Sequence, residues 1–195
     1  MSNKPIKLVL FDLGGVLIEL GDELFPQEWF PDGQKFGLSE WFSSPEAIKF
    51  ETGLITTEEF ISGLKEYLFL SAPESEILAA FKKWPKGLFS STDQLINRLK
   101  GNYQVAVLSN SNEIHEPIIM HKFGLKSMID EIFFSHLIGY SKPNKEAYNH
   151  VLKTLNFAPS EVMFFDDNAS NVAAAKNLGM QAFQVSSPLD VSDYI

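Results

Sequence analysis

Four short, unbroken apolar runs, each stopping at polar residues, limit the architecture of this chain more than any other feature. They are KLVLFD (7–12), YQVAVLSN (103–110), EIFFS (131–135) and EVMFFDD (161–167); a fifth, QAFQV (181–185), is weaker. Continuous rather than alternating apolar runs of this length suit strands buried on both faces of a parallel sheet. Helical patterns separate them. STDQLINRLK (91–100) precedes the second run and NEIHEPIIMHKFG (112–124) follows it, while NKEAYNHVLKTLNF (144–157) and NASNVAAAKNLG (168–179) flank the fourth. Such alternation predicts right-handed βαβ units and an open α/β sheet with helices on both faces. Ligands of such sheets bind beyond the carboxyl ends of the strands. That is where Asp12, Ser109, Asn110, Asp166 and Asp167 fall.

Residues 19–89 read differently. They contain no convincing strand, and IKFETG, EEFISGLKEYLFL and ESEILAAFKKW place apolar residues at helical intervals. Thr56 with Glu59, and Ser71 with Glu74, have capping-box spacing. The segment opens on GDELFPQEWFPDGQKF, rich in aromatics, Pro and Gly, which reads as a loop. The expected organisation is a discontinuous core, 1–18 and 90–195, with a helical cap, 19–89, inserted at a strand's carboxyl end, where it can act as a lid.

Composition excludes several functions. A formal net charge of −9 argues against non-specific nucleic-acid binding. No apolar run approaches the roughly 18 residues of a membrane span, and the N-terminal MSNKPIKLVLF lacks the apolar stretch of a secretory signal. The chain holds no cysteine, which removes disulfides, thiol catalysis and cysteine metal sites. A cytoplasmic protein is expected, with no nucleic-acid or membrane partner; nothing in the sequence sets its oligomeric state.

Taken singly, the polar strand ends are ordinary. Asp12 can be a turn residue, and Asp166 or Asp167 can cap the helix that follows. Yet two adjacent carboxylates ending a buried strand repel each other, and Mg²⁺ prefers such hard oxygen ligands together with substrate phosphate and water. Ser109 and Asn110 suit a phosphate cradle. Lys142 precedes Pro143, so its backbone is expected to be extended; at a phosphate site it would neutralise carboxylate and phosphoryl oxygens. Gly139 gives its loop freedom to fold back. His115 and Glu19 are spare acid–base groups.

The order of these residues decides between the readings. FDLGGVL, VLSNSN, GYSKPNKEAY and FFDDNASNVAAAKNLGM resemble, in order and at matching spacing, the four motifs of the haloacid dehalogenase (HAD) superfamily. The likeness spans nearly the whole chain and is nearest to the small capped sugar-phosphate phosphatases of the glucose-1-phosphate phosphatase type. It implies a Rossmann-like core and Mg²⁺-dependent hydrolysis of a small phosphorylated metabolite. Asp12 would attack phosphorus and form an aspartyl phosphate. Asp12, the Gly14 carbonyl and Asp167 would hold Mg²⁺ with Asp166 close by. Ser109, Asn110 and Lys142 would bind the phosphoryl group, Lys142 also balancing charge in the reaction, and Asn171 would order the acidic loop.

One position departs from the pattern. Most phosphatases of the family have a second Asp where this chain has Gly14, and that Asp protonates the leaving oxygen. Losing a general acid typically costs about 10²–10⁴ in rate. Three readings follow from the resemblance: a phosphatase, a metal-free 2-haloacid dehalogenase, or a weakly active protein that binds Mg²⁺ and phosphate. Specificity is expected in the cap and its aromatic loop (Phe25, Trp29, Phe30, Trp41), where aromatics more often form cap core than touch substrate.

Overall fold

All five expected runs form strands. In the computed structural model, which describes residues 5–31 and 44–195, the strands are β1 (Leu8–Phe11), β2 (Ile18–Leu20), β3 (Pro85–Leu88), β4 (Gln104–Ser109), β5 (Glu131–Phe134), β6 (Val162–Asp166) and β7 (Gln181–Gln184). Five of them make one parallel sheet in the order β5-β4-β1-β6-β7. Successive side chains of a strand point to opposite faces, and here both faces are covered. Val9, Phe11, Val105, Val107 and Phe165 join one buried cluster, with Leu95, Ile96 and Leu99 of a covering helix. Leu8, Leu10, Ala106, Leu108 and Phe164 join the other, with Tyr148, Val151 and Ala175. Two buried faces explain why the runs carry no polar alternation. Each fully buried Leu, Ile or Phe contributes about 1.5–3 kcal/mol.

The helices are α1 (Pro45–Glu51), α2 (Thr57–Leu68), α3 (Glu74–Phe81), α4 (Thr92–Leu99), α5 (Leu125–Met128), α6 (Ser135–Ile138), α7 (Lys145–Leu155), α8 (Ala169–Asn177) and α9 (Pro188–Val191). The pattern over 112–124 is realised as a turn followed by a π-helix, Ile118–Lys122, rather than a regular α-helix. No helix among the described residues is long and apolar enough to cross a membrane.

α1, α2 and α3 share a separate apolar cluster centred on Phe50, Phe60, Leu64, Ile77 and Phe81, with the Phe50 and Phe60 rings stacked 4.1 Å apart. Phe25 is buried in it, and Trp29 and Phe30 pack against it. Trp41 lies outside the described residues. Thr56 and Glu59 close the expected capping box, Glu59 N donating to Thr56 Oγ1 (3.2 Å) and Thr56 N to Glu59 Oε2 (2.8 Å). The Ser71–Glu74 box does not form. Pro73 takes the cap position of α3, and the Ser71 hydroxyl donates instead to Trp29 O.

The expectation of no strand within 19–89 is also corrected. β2 and β3 pair antiparallel, at the start and end of this stretch. Ile18 is buried, Glu19 exposed and Leu20 half-buried, but three residues are too few to announce a strand, and PKGL carries two strand-averse residues.

Candidate active site

Lys142 organises the strand ends. Its Nζ donates to Asp12 Oδ1 at 2.8 Å and to Asp166 Oδ2 at 2.7 Å, tying the ends of β1 and β6 together. Its side chain is 1% exposed, against 13% for Asp12 and 0% for Asp166. Burial alone would lower the pKa of the ammonium, but the two carboxylates outweigh that and hold it above its ordinary value. Two features place Lys142 here. Gly139 adopts φ 76° and ends α6, so the chain turns back. Asn110 then clamps the backbone, donating from Nδ2 to Lys142 O (2.9 Å) and accepting from Lys142 N (2.8 Å).

Carboxyl oxygens of Asp12, Asp166 and Asp167 lie within 4.8 Å of one another. Their partners differ sharply. Asp166 is fully buried; its Oδ1 accepts from Asn168 N (2.8 Å) and Asn171 Nδ2 (3.0 Å), and its Oδ2 accepts from Lys142 and Asn171 Nδ2 (3.1 Å). That fills the roughly four acceptor directions of a carboxylate. Asp166, expected beside the metal, thus lies in one cluster with Asp12 and Asp167 while both its oxygens accept hydrogen bonds from the protein. Asp167 is exposed. Neither acid caps α8: Asn168 does, accepting from Ser170 N. Burial pushes the Asp12 carboxyl up, Lys142 opposes this, and Asp166 and Asp167 add to it. Partial desolvation and Asp166 likewise raise Asp167.

The turn after β1 is built on two glycines with different duties. Gly15 has φ 72°, and a Cβ there would lie 2.7 Å from Asp167 Oδ2. Only glycine lets Asp167 approach the turn so closely. Gly14 is not in the left-handed region; a Cβ on it would meet Leu20 Cδ1 at 2.9 Å. Leu20 of β2 therefore occupies the space that a side chain at 14 would enter. The Gly14 carbonyl accepts none of the turn's hydrogen bonds, which run to Leu13 O and Ile18 O.

These groups open into a cavity of about 480 Å³ between the strand ends and α1. Asp12, Gly14, Ser109, Asn110, Lys142 and Asp167 all line it. A wider open hollow of about 1020 Å³ lies beside β2 and carries none of them; Glu19 faces that hollow, not Asp12. His115 lines the smaller cavity but is engaged at both ring nitrogens. Nε2 lies 2.8 Å from Phe81 O and Nδ1 lies 3.3 Å from Asn112 Nδ2. Burial pushes its pKa down to about 4, against the pull of the Phe81 carbonyl, so the ring is neutral. Asn110, expected in the phosphate cradle, has its side chain committed to Lys142. Among the lining residues that sequence reasoning does not single out are Leu20 and Glu51.

Comparison with known proteins shows the family that the four motifs resemble. The family model for haloacid dehalogenase-like hydrolases matches residues 6–179. The chain belongs to this family. Among the HAD relatives is the D-ribitol-5-phosphate phosphatase of Bacteroides thetaiotaomicron, 27% identical over 92% of this chain and 91% of that protein. A sesquiterpene phosphatase of Aspergillus oryzae is 32% identical over 94% and 91% of the two chains. A HAD family enzyme of Bacteroides thetaiotaomicron, crystallised with magnesium and inorganic phosphate, superposes with a TM-score of 0.76 at 27% identity, covering 92% of this chain and 93% of that one. An L-2-haloacid dehalogenase, 21% identical with a TM-score of 0.64, shares the fold.

Proposed function

We propose that this HAD protein is a Mg²⁺-dependent phosphomonoester hydrolase that works through an aspartyl phosphate on a small sugar or sugar-alcohol phosphate. The observation that carries the reading is the charge at the strand ends. Three carboxylates face one ammonium, a formal surplus of two negative charges that a divalent cation would balance. Asp12, Asp167 and the Gly14 carbonyl have oxygens suited to Mg²⁺. Once bound, the ion would screen the repulsion between Asp12 and a phosphate dianion. Asp12 is the nucleophile, held on one oxygen by Lys142. Lys142 and Ser109 receive the phosphoryl group, and positioning with charge neutralisation is most of what phosphoryl transfer requires. The segment 19–89, helical apart from the short β2–β3 pair at its ends, is the cap. Ser141 and Asn144 in the cavity wall give hydroxyl-rich substrates hydrogen-bonding partners. The phosphatase names and the magnesium and phosphate complex among the relatives support the same reading.

The test is release of inorganic phosphate, with and without Mg²⁺, from sugar phosphates, ribitol 5-phosphate, a sesquiterpenyl phosphate and p-nitrophenyl phosphate. Magnesium-dependent release from the polyol and sugar esters is expected. Release from none of them overturns the proposal, and chloride release from 2-chloropropionate would replace it with dehalogenation.

Asp167→Asn should weaken Mg²⁺ binding by at least the roughly 10–100-fold seen when mere outer partners of a metal are lost. Calorimetric titration with Mg²⁺ measures this without turnover; unchanged affinity would remove Asp167 from the metal site.

A further inference from the structure

A phosphatase must protonate its leaving alkoxide, and the turn that carries Asp12 offers nothing to do so, since Gly14 has no side chain. Five titratable residues line the cavity: Asp12, Glu51, His115, Lys142 and Asp167. Asp12 is committed as nucleophile and Asp167 to the metal. Lys142 is fixed between two carboxylates. His115 has both nitrogens engaged and is neutral.

Glu51 remains, and it is placed with care. It is the last residue of α1 and 9% exposed, and no hydrogen bond or ion pair reaches its carboxyl among the described residues. α1 is anchored on every side of it. Ser44 caps the helix, and Ala47 and Phe50 are buried in the cap cluster. Just beyond, Gly53 (φ 71°) lies so close to His136 O that a Cβ there would sit 2.5 Å from it. Ile48, three residues before Glu51 and so on the same helix face, lines the cavity too.

We propose that Glu51, delivered from the cap, is the general acid and base of this enzyme, doing from above what a side chain at position 14 would do from below. The inference rests on the phosphatase reading. As Asp12 attacks phosphorus, the P–O bond to the alcohol breaks and its electron pair goes to oxygen. Glu51 gives that oxygen its proton, and the alcohol departs. The Glu51 carboxylate then takes a proton from water as the water oxygen bonds to phosphorus and the Asp12–phosphorus bond breaks. Phosphate leaves, and Glu51 is again protonated. Its environment suits the first step: burial and, secondarily, the charge of Asp12 push its pKa up to about 8, with Lys142 pulling the other way.

The experiment compares wild type with Glu51→Gln and Glu51→Asp on p-nitrophenyl phosphate, phenyl phosphate and ribitol 5-phosphate, in order of increasingly basic leaving groups. In Glu51→Gln, kcat/KM should fall by roughly 10²–10⁴ on ribitol 5-phosphate, less on phenyl phosphate and least on p-nitrophenyl phosphate. A burst of p-nitrophenolate should accompany slowed dephosphorylation. Glu51→Asp, which keeps the proton on a shorter arm, should lie between. The wild-type decline of kcat/KM for ribitol 5-phosphate above about pH 8 should vanish in the Gln variant. An equal loss on every ester, or no loss, overturns the role of Glu51. Wild-type and Asp12→Asn controls keep the two readings apart: activity that Asp12→Asn removes leaves the phosphatase standing whatever Glu51 does. Inactive wild type defeats both.

Discussion

Asp12→Asn should eliminate turnover on every phosphate ester while leaving the fold intact. Loss of a nucleophile in enzymes that form a covalent intermediate costs on the order of 10⁶ in kcat. The amide nitrogen cannot form the phosphoenzyme, and the amide oxygen is a weaker metal ligand than a carboxylate. Little in the fold depends on the missing charge. Lys142 keeps Asp166 at 2.7 Å, the amide oxygen can still accept from Nζ, and the preceding strand is locked by Leu8, Val9, Leu10 and Phe11, all 0% exposed. Phosphate release and a thermal melt measure the two halves of the statement. Turnover within tenfold of wild type would dismiss the aspartyl-phosphate route, and a variant that fails to melt cooperatively would dismiss the claim about the fold.

The sheet is legible in the sequence because both of its faces are buried: Leu8 and Leu10 on one side, Val9 and Phe11 on the other, leave no polar alternation to obscure the run. Parallel direction then brings the polar residue after each run to the same edge, so Asp12, Ser109, Asp166 and Asp167 can be placed together before any coordinates. What cannot be read is how neighbours share duties. Asp166 and Asp167 are chemically identical, and only the pairing of β6 with β1 and the approach of Lys142 and Asn171 separate the buried organiser from the exposed acid. Nor does the sequence show that the Asn110 side chain clamps the Lys142 backbone. Glu51 gives no signal at all, since an acid near the end of a helix reads as a solvated charge. Its place in the cavity wall comes from the packing of Phe50 against Phe60 and of Gly53 against His136, the latter a contact between residues far apart in the chain. β2 and β3 are hidden by their brevity, and with them Leu20, which fills the space above Gly14.

Lys142→Met should be the most destabilising change in the site as well as an inactivating one. The side chain is 1% exposed and bridges two carboxylates that are 13% and 0% exposed. Methionine fills a similar volume but leaves both acids without their cation, and removing one partner of a buried ion pair costs about 3–5 kcal/mol. In a chain of this size, 1 kcal/mol moves Tm by roughly 2–4 °C, so a fall of roughly 6–20 °C is expected without Mg²⁺. The pH dependence gives the cause away. Burial already raises the Asp12 carboxyl and Lys142 is the influence that lowers it, so in the variant Asp12 rises further. A group whose pKa is raised on folding favours the folded state when protonated and opposes it once ionised. The difference in Tm between wild type and Lys142→Met should therefore be large at pH 8 and shrink toward pH 5, as protonation supplies the neutralisation that the ammonium gave. Lys142→Arg is no rescue, because the planar guanidinium needs room that a buried ammonium site lacks. Melts at pH 5 and pH 8 decide the matter. A Tm gap that is the same at both pH values would mean that Lys142 holds the site by packing and not by charge.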